Sequence, residues 1–339
     1  MEPIDISVII CTYNRSQLLR DTLLDLNCQQ SDGMFTYELV IVDDGSTDKT
    51  KEVVDELAGV SEVPVRYVRG EGKGYTHALN SGIAESRGEW IAFFDDDERT
   101  DRDWLKELFV AATEAGAHLA GGPVVLAMAE SELLTLGPRL RALRGEYPPS
   151  CGISRRSSRP PLPSGGNRLV KRTVFDSIGV FDEKMLTGGC DRDLVLRARA
   201  AGFDNVWVPT AVVRHLVPSY RLKLDHIRWS CLHGGCSFAY TDWKRWGLSK
   251  TLLVCMARIG YTVFVSLPFL LLGYTRRSRN VALDNKIQIW RNIAYTRKTL
   301  FLLSPMLFSQ ERFFDLMQFR REREVFSKES NMTQDIRKK

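Results

Sequence analysis

Gly88-Glu89-Trp90-Ile91-Ala92-Phe93-Phe94-Asp95-Asp96-Asp97-Glu98 is the stretch on which the reading of this chain turns. Its apolar half has the length and residue types of a buried strand, and it stops abruptly in four consecutive acids. Carboxylates crowded together repel one another and destabilise a fold unless positive charge neutralises them. In extended backbone alternate side chains share a side, so Asp95 and Asp97 are expected to converge. Oxygen donors on a rigid strand end suit a hard divalent ion such as Mg²⁺ or Mn²⁺. An acidic surface turn is the alternative, and this segment alone leaves both open.

Working outward, the flanks repeat the same design. Residues 4–11 (IDISVIIC) form a short β-branched run that reads as a central parallel strand, closed by Thr12-Tyr13-Asn14-Arg15. Ser16 can cap a helix to about residue 27, with Leu18, Leu19, Leu23 and Leu26 inward. A second strand, 38–42, ends in Asp43-Asp44-Gly45-Ser46, and a helix with Val53, Val54 and Leu57 inward follows. A third strand over 63–68 leads through Gly70, Gly72 and Gly74 into a helix over 76–85. This rhythm predicts an α/β fold: an open, mostly parallel sheet with helices on both faces. Such sheets bind ligands outside the carboxyl ends of their strands, which here read CTYNR, VDDGS and DDDE.

Composition removes several classes of function. A net charge of +5 over 339 residues does not indicate bulk nucleic-acid binding. Seven cysteines (Cys11, Cys28, Cys151, Cys190, Cys231, Cys236, Cys255) show neither disulfide nor zinc spacing, which favours a reducing compartment. His226, Cys231, His233 and Cys236 lie close together but lack an anchoring C-x-x-C pair. The first residues carry no signal-peptide pattern, so the catalytic face is expected to be cytoplasmic. No G-x-G-x-x-G follows the first strand and no P-loop occurs, which sets dinucleotide and P-loop enzymes aside. A carboxylate-held metal remains, with nearby acids for base or ribose hydroxyls, and it suits a nucleoside diphosphate bound through its ion.

Six segments in order carry a resemblance: SVIICTYNR, ELVIVDDGSTD, GKGYTHALNSGI, GEWIAFFDDDERTDRDWL, SGGNRLVKRTVFDSIGVFDE and GGCDRDLVLRARAAGF. Over roughly residues 4–220 the chain resembles the GT-A glycosyltransferases of family 2. The resemblance implies a Rossmann-like GT-A sheet, a nucleotide-sugar donor (a UDP-sugar favoured), Mn²⁺ or Mg²⁺, and inverting transfer to an acceptor hydroxyl. It implies Asp97 as metal ligand, with Asp95 and Asp96 approaching the ribose or completing the metal shell. Thr12, Tyr13, Asn14 and Arg15 fall where the family closes around base and ribose, and Asp44 or its neighbour Asp43 matches the acid that reads the base. Gly74, Ala78 and Asn80 fall near the diphosphate. Leu79 stands where an arginine is common, which leaves Lys73 or Arg69 to supply that charge. Gly165-Gly166-Asn167 would lie beside the sugar. Asp191 matches the general base, although Cys190 stands where a glutamate often precedes it. His215 matches a further metal ligand or phosphate contact. For Thr12 to Arg15 the plain alternative is a helix entry, for Asp191 or Asp193 a helix cap, and for His215 a structural role.

Downstream the pattern predicts a helix over 104–113, a strand over 121–126 and a basic-faced helix over 133–143. A long loop over 145–166 carries Arg155, Arg156 and Arg159, which would meet acceptor phosphates or simply be solvated. A strand and helix start over 167–175, a helix over 194–201 closed by Gly202, and a last strand over 206–213 complete this part. After residue 220, Trp229, Phe238, Trp243 and Trp246 mix with Lys244, Arg245 and Lys250, as at a membrane interface. Residues 259–275 carry no charge but are short for a span and contain Pro268. Arg258 precedes them and Arg276, Arg277 and Arg279 follow, against the usual one-sided bias of a spanning helix. A helix or hairpin lying in or dipping into the cytoplasmic leaflet is therefore expected, the alternative being a helix packed on the catalytic domain. An amphipathic segment over 293–308, a charged helix over 311–328 and a loose tail close the chain.

The expected organisation is thus a catalytic domain over 1–220, a helical membrane-associating region over 221–328 and a tail over 329–339. Its partners would be a nucleoside-diphosphate sugar, a saccharide or lipid-linked acceptor and a membrane surface, with no nucleic acid. A nucleotidyltransferase and a catalytically silent GT-A-like membrane adaptor are the competing readings.

Overall fold

A computed structural model describes residues 3–148, 161, 165–185 and 188–308. Arg155, Arg156 and Arg159, the helix over 311–328 and the tail lie outside the described residues. The chain divides into two compact units. The first comprises Met1–Ala127, Gly145–Lys184 and Cys190–Leu216; the second takes Met128–Arg144, Met185–Gly189 and everything from Val217. The boundary expected at residue 220 is therefore replaced by repeated crossings of the chain.

The first unit is built on a seven-stranded sheet. Its elements are β1 (Ile6–Thr12), α1 (Ser16–Asn27), β2 (Tyr37–Asp43), α2 (Thr50–Ala58), β3 (Val65–Arg69), α3 (Tyr75–Glu85), β4 (Trp90–Asp95), β5 (Glu98–Thr100), α4 (Trp104–Glu114), β6 (Leu119–Gly121) and β7 (Val124–Ala127). After an excursion come β8 (Arg168–Lys171), α7 (Arg172–Ile178), α8 (Cys190–Ala200), β9 (Asn205–Trp207) and β10 (Val213–Leu216). The main sheet runs β3-β2-β1-β4-β8-β6-β9, with β8 antiparallel to both neighbours and the other pairs parallel. A small sheet, β5-β10-β7, stands apart from it.

Both faces of the sheet's centre are covered, which is why β1, β2 and β4 are buried along almost their whole length. Ile6, Val8 and Ile10 of β1 join Leu19, Leu23 and Leu26 of α1 and Trp104, Leu105 and Leu108 of α4 in one cluster. On the other face α3 lies so close that a methyl group on Gly82 would come 2.6 Å from Ile9 Cγ2. Phe93 packs there edge-on against Phe175 and Phe181. Each such buried side chain contributes roughly 1.5–3 kcal/mol. The register then sets the site: Thr12 pairs with Asp43 and Cys11 with Asp95, which brings three strand ends side by side.

Local details differ from the sequence reading, each for a physical reason. Strand 206–213 is two strands, because Pro209 cannot donate to a ladder, and His215 lies inside β10 instead of after a strand. Strand 121–126 likewise splits into β6 and β7, in different sheets. Ser16 begins α1 without acting as its cap; its amide donates to Asp48 Oδ2 (2.9 Å). β4 ends at Asp95 and a turn follows, so alternation along an extended chain does not set the directions of Asp95 and Asp97.

In the second unit the helix expected over 133–143 is two short helices, α5 (Glu130–Leu133) and α6 (Pro138–Leu143), parted at Gly137-Pro138. Leu140 of α6 joins Ile227, Cys231 and Ile287 in this unit's own core. The long helix α9 (Leu224–Tyr261) is broken at Gly247 (φ +73°), and a π-helical stretch, Thr262–Ser266, leads into α10 (Leu267–Thr275). Pro268 has no amide to give, and the wider turn lies directly upstream of it. A tight turn reverses the chain into α11 (Arg279–Leu303), which packs along α9 and α10 as the returning arm of a hairpin. α9 and α11 touch closely: a methyl group on Gly235 would lie 2.3 Å from the Arg291 carbonyl. Leu224–Thr275 is long and apolar enough to cross a membrane by length and composition, with only 11% of its most apolar window buried.

Candidate active site

The ends of β1, β2 and β4 form the floor of the site. Thr12 Oγ1 donates to Asp96 Oδ2 (2.8 Å), and Thr22 of α1 donates to the Asp96 carbonyl (2.9 Å). Arg15 Nη1 lies 2.6 Å from Asp96 Oδ1 and 3.0 Å from Asp97 Oδ2, with all three side chains buried. This guanidinium is the positive charge that the acid cluster requires. Opposite it, His215 Nε2 is 3.5 Å from Asp97 Oδ1, placed there by the β10–β5 pairing and by the Leu216 amide, which donates to the Asp97 carbonyl (2.8 Å).

Asp95 points another way, accepting from the Tyr75 hydroxyl (3.0 Å). Burial, then the charges of Asp97 and Asp191, raise its pKa to about 6. Glu98 folds back beneath the cluster, accepts the Asp95 amide (3.1 Å), and is pushed well above the carboxylate range by burial and by Asp95. A Cβ on Gly166 would come 2.1 Å from Glu98 Oε2, so a side chain there would have to displace the Glu98 carboxylate. Glu98 is therefore a buried member of the cluster.

Asp191 sits in the first turn of α8. Its Oδ1 accepts from Arg168 Nη2 (3.0 Å), while Gly165 approaches so closely that a Cβ would lie 2.8 Å from Oδ2. Arg168 is fully buried, its guanidinium 4.9 Å from the Phe93 ring and 5.4 Å from the Phe181 ring. Tyr75 lies within the electrostatic reach of Asp95, Asp191 and Cys190, and burial pushes its hydroxyl well above the usual range. Cys190 is itself buried, its thiol raised by burial and by Asp191.

Other residues singled out from the sequence are tied into the loops around these strand ends. Asp43 accepts from the Ser46 amide (2.7 Å), Tyr67 (2.6 Å) and Arg69 (2.9 Å), closing its own loop. Asp44 accepts the Gly74 amide (2.9 Å), and Gly74 has φ +107° at the entry of α3. Asn14 (φ +51°) ties the first loop to the second through Ser46 and Thr47. Asn80 uses both ends of its amide on the Phe181 backbone, and Lys73 pairs with Glu71 at the surface. Asn167 is wholly buried, accepting from Trp104 Nε1 and donating to the Pro123 and Ala211 carbonyls. Asp193 is held by Arg197 (2.8 Å). Tyr75, Arg168 and Glu98 were not assigned from the sequence; only the run of acids pointed towards the last of them.

The donor set suits a hard divalent ion: carboxylate oxygens, one imidazole, and buried negative charge whose nearest guanidinium is Arg15. Among the described residues no group of three or more His, Cys, Asp or Glu side chains is arranged to hold a metal. Asp97 and His215 would thus supply one or two ligands, with substrate phosphates supplying others.

The mostly parallel sheet, its acid-ended strands and the carboxylate on a flanking helix agree with the GT-A fold that the sequence resemblance implies. The solved structure of a mannosyltransferase from Pyrobaculum calidifontis, in complex with GDP-Man and Mn²⁺, shares this fold at a TM-score of 0.58 and 18% identity, over 89% of this chain and 88% of that one. The family profile described as glycosyl transferase family 2 matches residues 7–179, just over half of the sequence, and the chain belongs to that family. The chain is 30% identical over 223 residues to the uncharacterised protein y4gI of Sinorhizobium fredii, covering 62% of this chain and 24% of that protein. It is 30% identical over 122 residues to the GalNAc(5)-diNAcBac-PP-undecaprenol beta-1,3-glucosyltransferase of Campylobacter jejuni, covering 35% of this chain and 38% of that enzyme. The chain thus spans well under two thirds of either relative's length.

Proposed function

We propose that this glycosyltransferase is an inverting, divalent-metal-dependent enzyme acting at the cytoplasmic face of a membrane. It would move a sugar from a nucleoside-diphosphate sugar, a UDP-sugar in the first instance, to a hydroxyl of a lipid-linked or membrane-proximal saccharide. The observation that carries this reading is the pairing of Asp191 with a wholly buried arginine, within electrostatic reach of the acids that end β4. The lipid-linked substrate named for the Campylobacter relative and the Mn²⁺ of the archaeal mannosyltransferase agree with it.

Arg168 occupies Asp191 Oδ1 and leaves Oδ2 as the atom that takes the acceptor's proton. The acceptor oxygen then bonds to the anomeric carbon as the bond from that carbon to the diphosphate breaks, and attack from the opposite face inverts the centre. Asp97 and His215 would hold a divalent ion, which would neutralise the charge of the departing nucleoside diphosphate. Arg15 pairs with Asp96 and Asp97 and offsets part of their charge.

The test is a panel of UDP- and GDP-sugars assayed for hydrolysis and transfer, with and without chelator. Asp191→Asn is expected to abolish transfer while donor binding persists; loss of donor binding would make Asp191 structural. Asp97→Asn that retains full turnover in chelator would sink the metal role. Absence of turnover with every donor would leave the adaptor reading.

A further inference from the structure

The turn between α10 and α11 borders a cavity of about 450 Å³. Arg277, Arg279 and Lys286 line it together with Ser278, Tyr274 and Leu283, and no carboxylate does. Among the described residues none of the three cations has an acid within ion-pair distance; Lys286 rests on the Tyr274 ring at 5.4 Å. Three like charges around one cavity repel each other, and no acid among the described residues lies close enough to pair with them.

The turn itself is a helix stop of the kind that glycine normally completes. The Ser278 amide donates to the Gly273 carbonyl (2.9 Å) and the Arg277 amide to that of Tyr274 (3.1 Å), with Arg277 at φ +53°. An arginine thus holds a left-handed position against its backbone preference. Leading to this turn is an apolar stripe of helical spacing, Leu253, Met256, Phe264, Leu267 and Leu271, with residues between 41% and 80% exposed. Tyr274 continues the stripe into the cavity wall. Positive charge at the end of an exposed apolar stripe suits a phosphate joined to hydrocarbon. A free phosphate would leave the stripe uncovered.

We propose that this cavity seats the phosphate of an anionic bilayer phospholipid, whose acyl chains lie along the stripe. The proposal rests on the membrane-surface part of the proposed function and is independent of donor, metal and Asp191. The full-length protein is titrated with vesicles of phosphatidylcholine alone and of phosphatidylcholine mixed with phosphatidylglycerol. Arg277→Gly or Lys286→Gln should weaken binding to the anionic vesicles by about ten-fold or more, the loss of a charge-assisted contact. Arg276→Gln, exposed beside the cavity but outside its lining, should cost only the roughly five-fold that any basic residue near an anionic surface contributes. Because glycine suits this turn, Arg277→Gly should melt no lower than the parent, which separates lost binding from lost folding. Equal losses for Arg276→Gln, or equal affinity for the two vesicle types, would overturn the seat while leaving membrane association intact. Inorganic phosphate binding as tightly as the vesicles would assign the cavity to a soluble anion. Failure to bind either vesicle would remove the membrane-surface reading as well.

Discussion

Arg168 pairs with Asp191 from a position without solvent access, between two phenylalanine rings. Burying a guanidinium is costly unless a carboxylate meets it, so each partner depends on the other. Arg168→Met should therefore lower kcat by about a hundred-fold with little change in donor KM, because Asp191, the proposed base, would lose its aim and not its substrate. Arg168→Lys should recover part of the loss, and steady-state kinetics of the two variants decide the point. A second prediction concerns His233, buried in α9, where burial lowers its pKa from 6.5 to about 4. The unfolded chain binds a proton there below about pH 6.5, whereas the folded one resists until about pH 4. Stability should consequently fall as pH drops through that window and level off below it. In His233→Leu this part of the pH dependence of Tm should be missing, as thermal melts at matched pH would reveal. The sequence does not reveal the pairing of Arg168, which meets Asp191 across 23 residues, and for His233 it shows only nearby His and Cys residues, not the burial that shifts it.

At the level of elements, legibility followed the strength of the local signal. The strands ending in Thr12, Asp43 and Asp95 could be read because an unbroken apolar run meets an acid or a polar turn, and the parallel register then aligns them. What could not be read were short strands with partners far along the chain, such as β5 and β10, which set His215 against Asp97. Asn80 and Asn167 fall on motif positions, yet their amides are used within the frame, and sequence alone does not reveal a side chain's partner. The hairpin supplies its own test at Gly235, where α9 passes over the Arg291 carbonyl. Gly235→Ala should force the helices apart at a cost of about 1–3 kcal/mol, measurable as a lower midpoint in denaturant. Gly260, which has no atom in the way of a Cβ, should accept alanine without that loss.

For the whole molecule, an excess of five positive charges and an open apolar stripe act together. Phe264 and Leu271, 80% and 64% exposed, should each contribute up to about 2 kcal/mol on leaving water. A Phe264→Ser, Leu271→Ser double variant should sediment far less with neutral vesicles and stay monodisperse without detergent, while its donor hydrolysis in solution is unchanged. The path of the chain bears on a different matter. It leaves the first unit at Met128, returns at Gly145, leaves again at Met185, returns at Cys190 and departs finally at Val217. No single junction in the gene separates the two units. Exchange of one unit between relatives by a single recombination would sever α6 from Ile227 and Ile287. A chimaera built by cutting near residue 220 would take α6 from one parent and Ile227 and Ile287, against which its Leu140 packs, from the other.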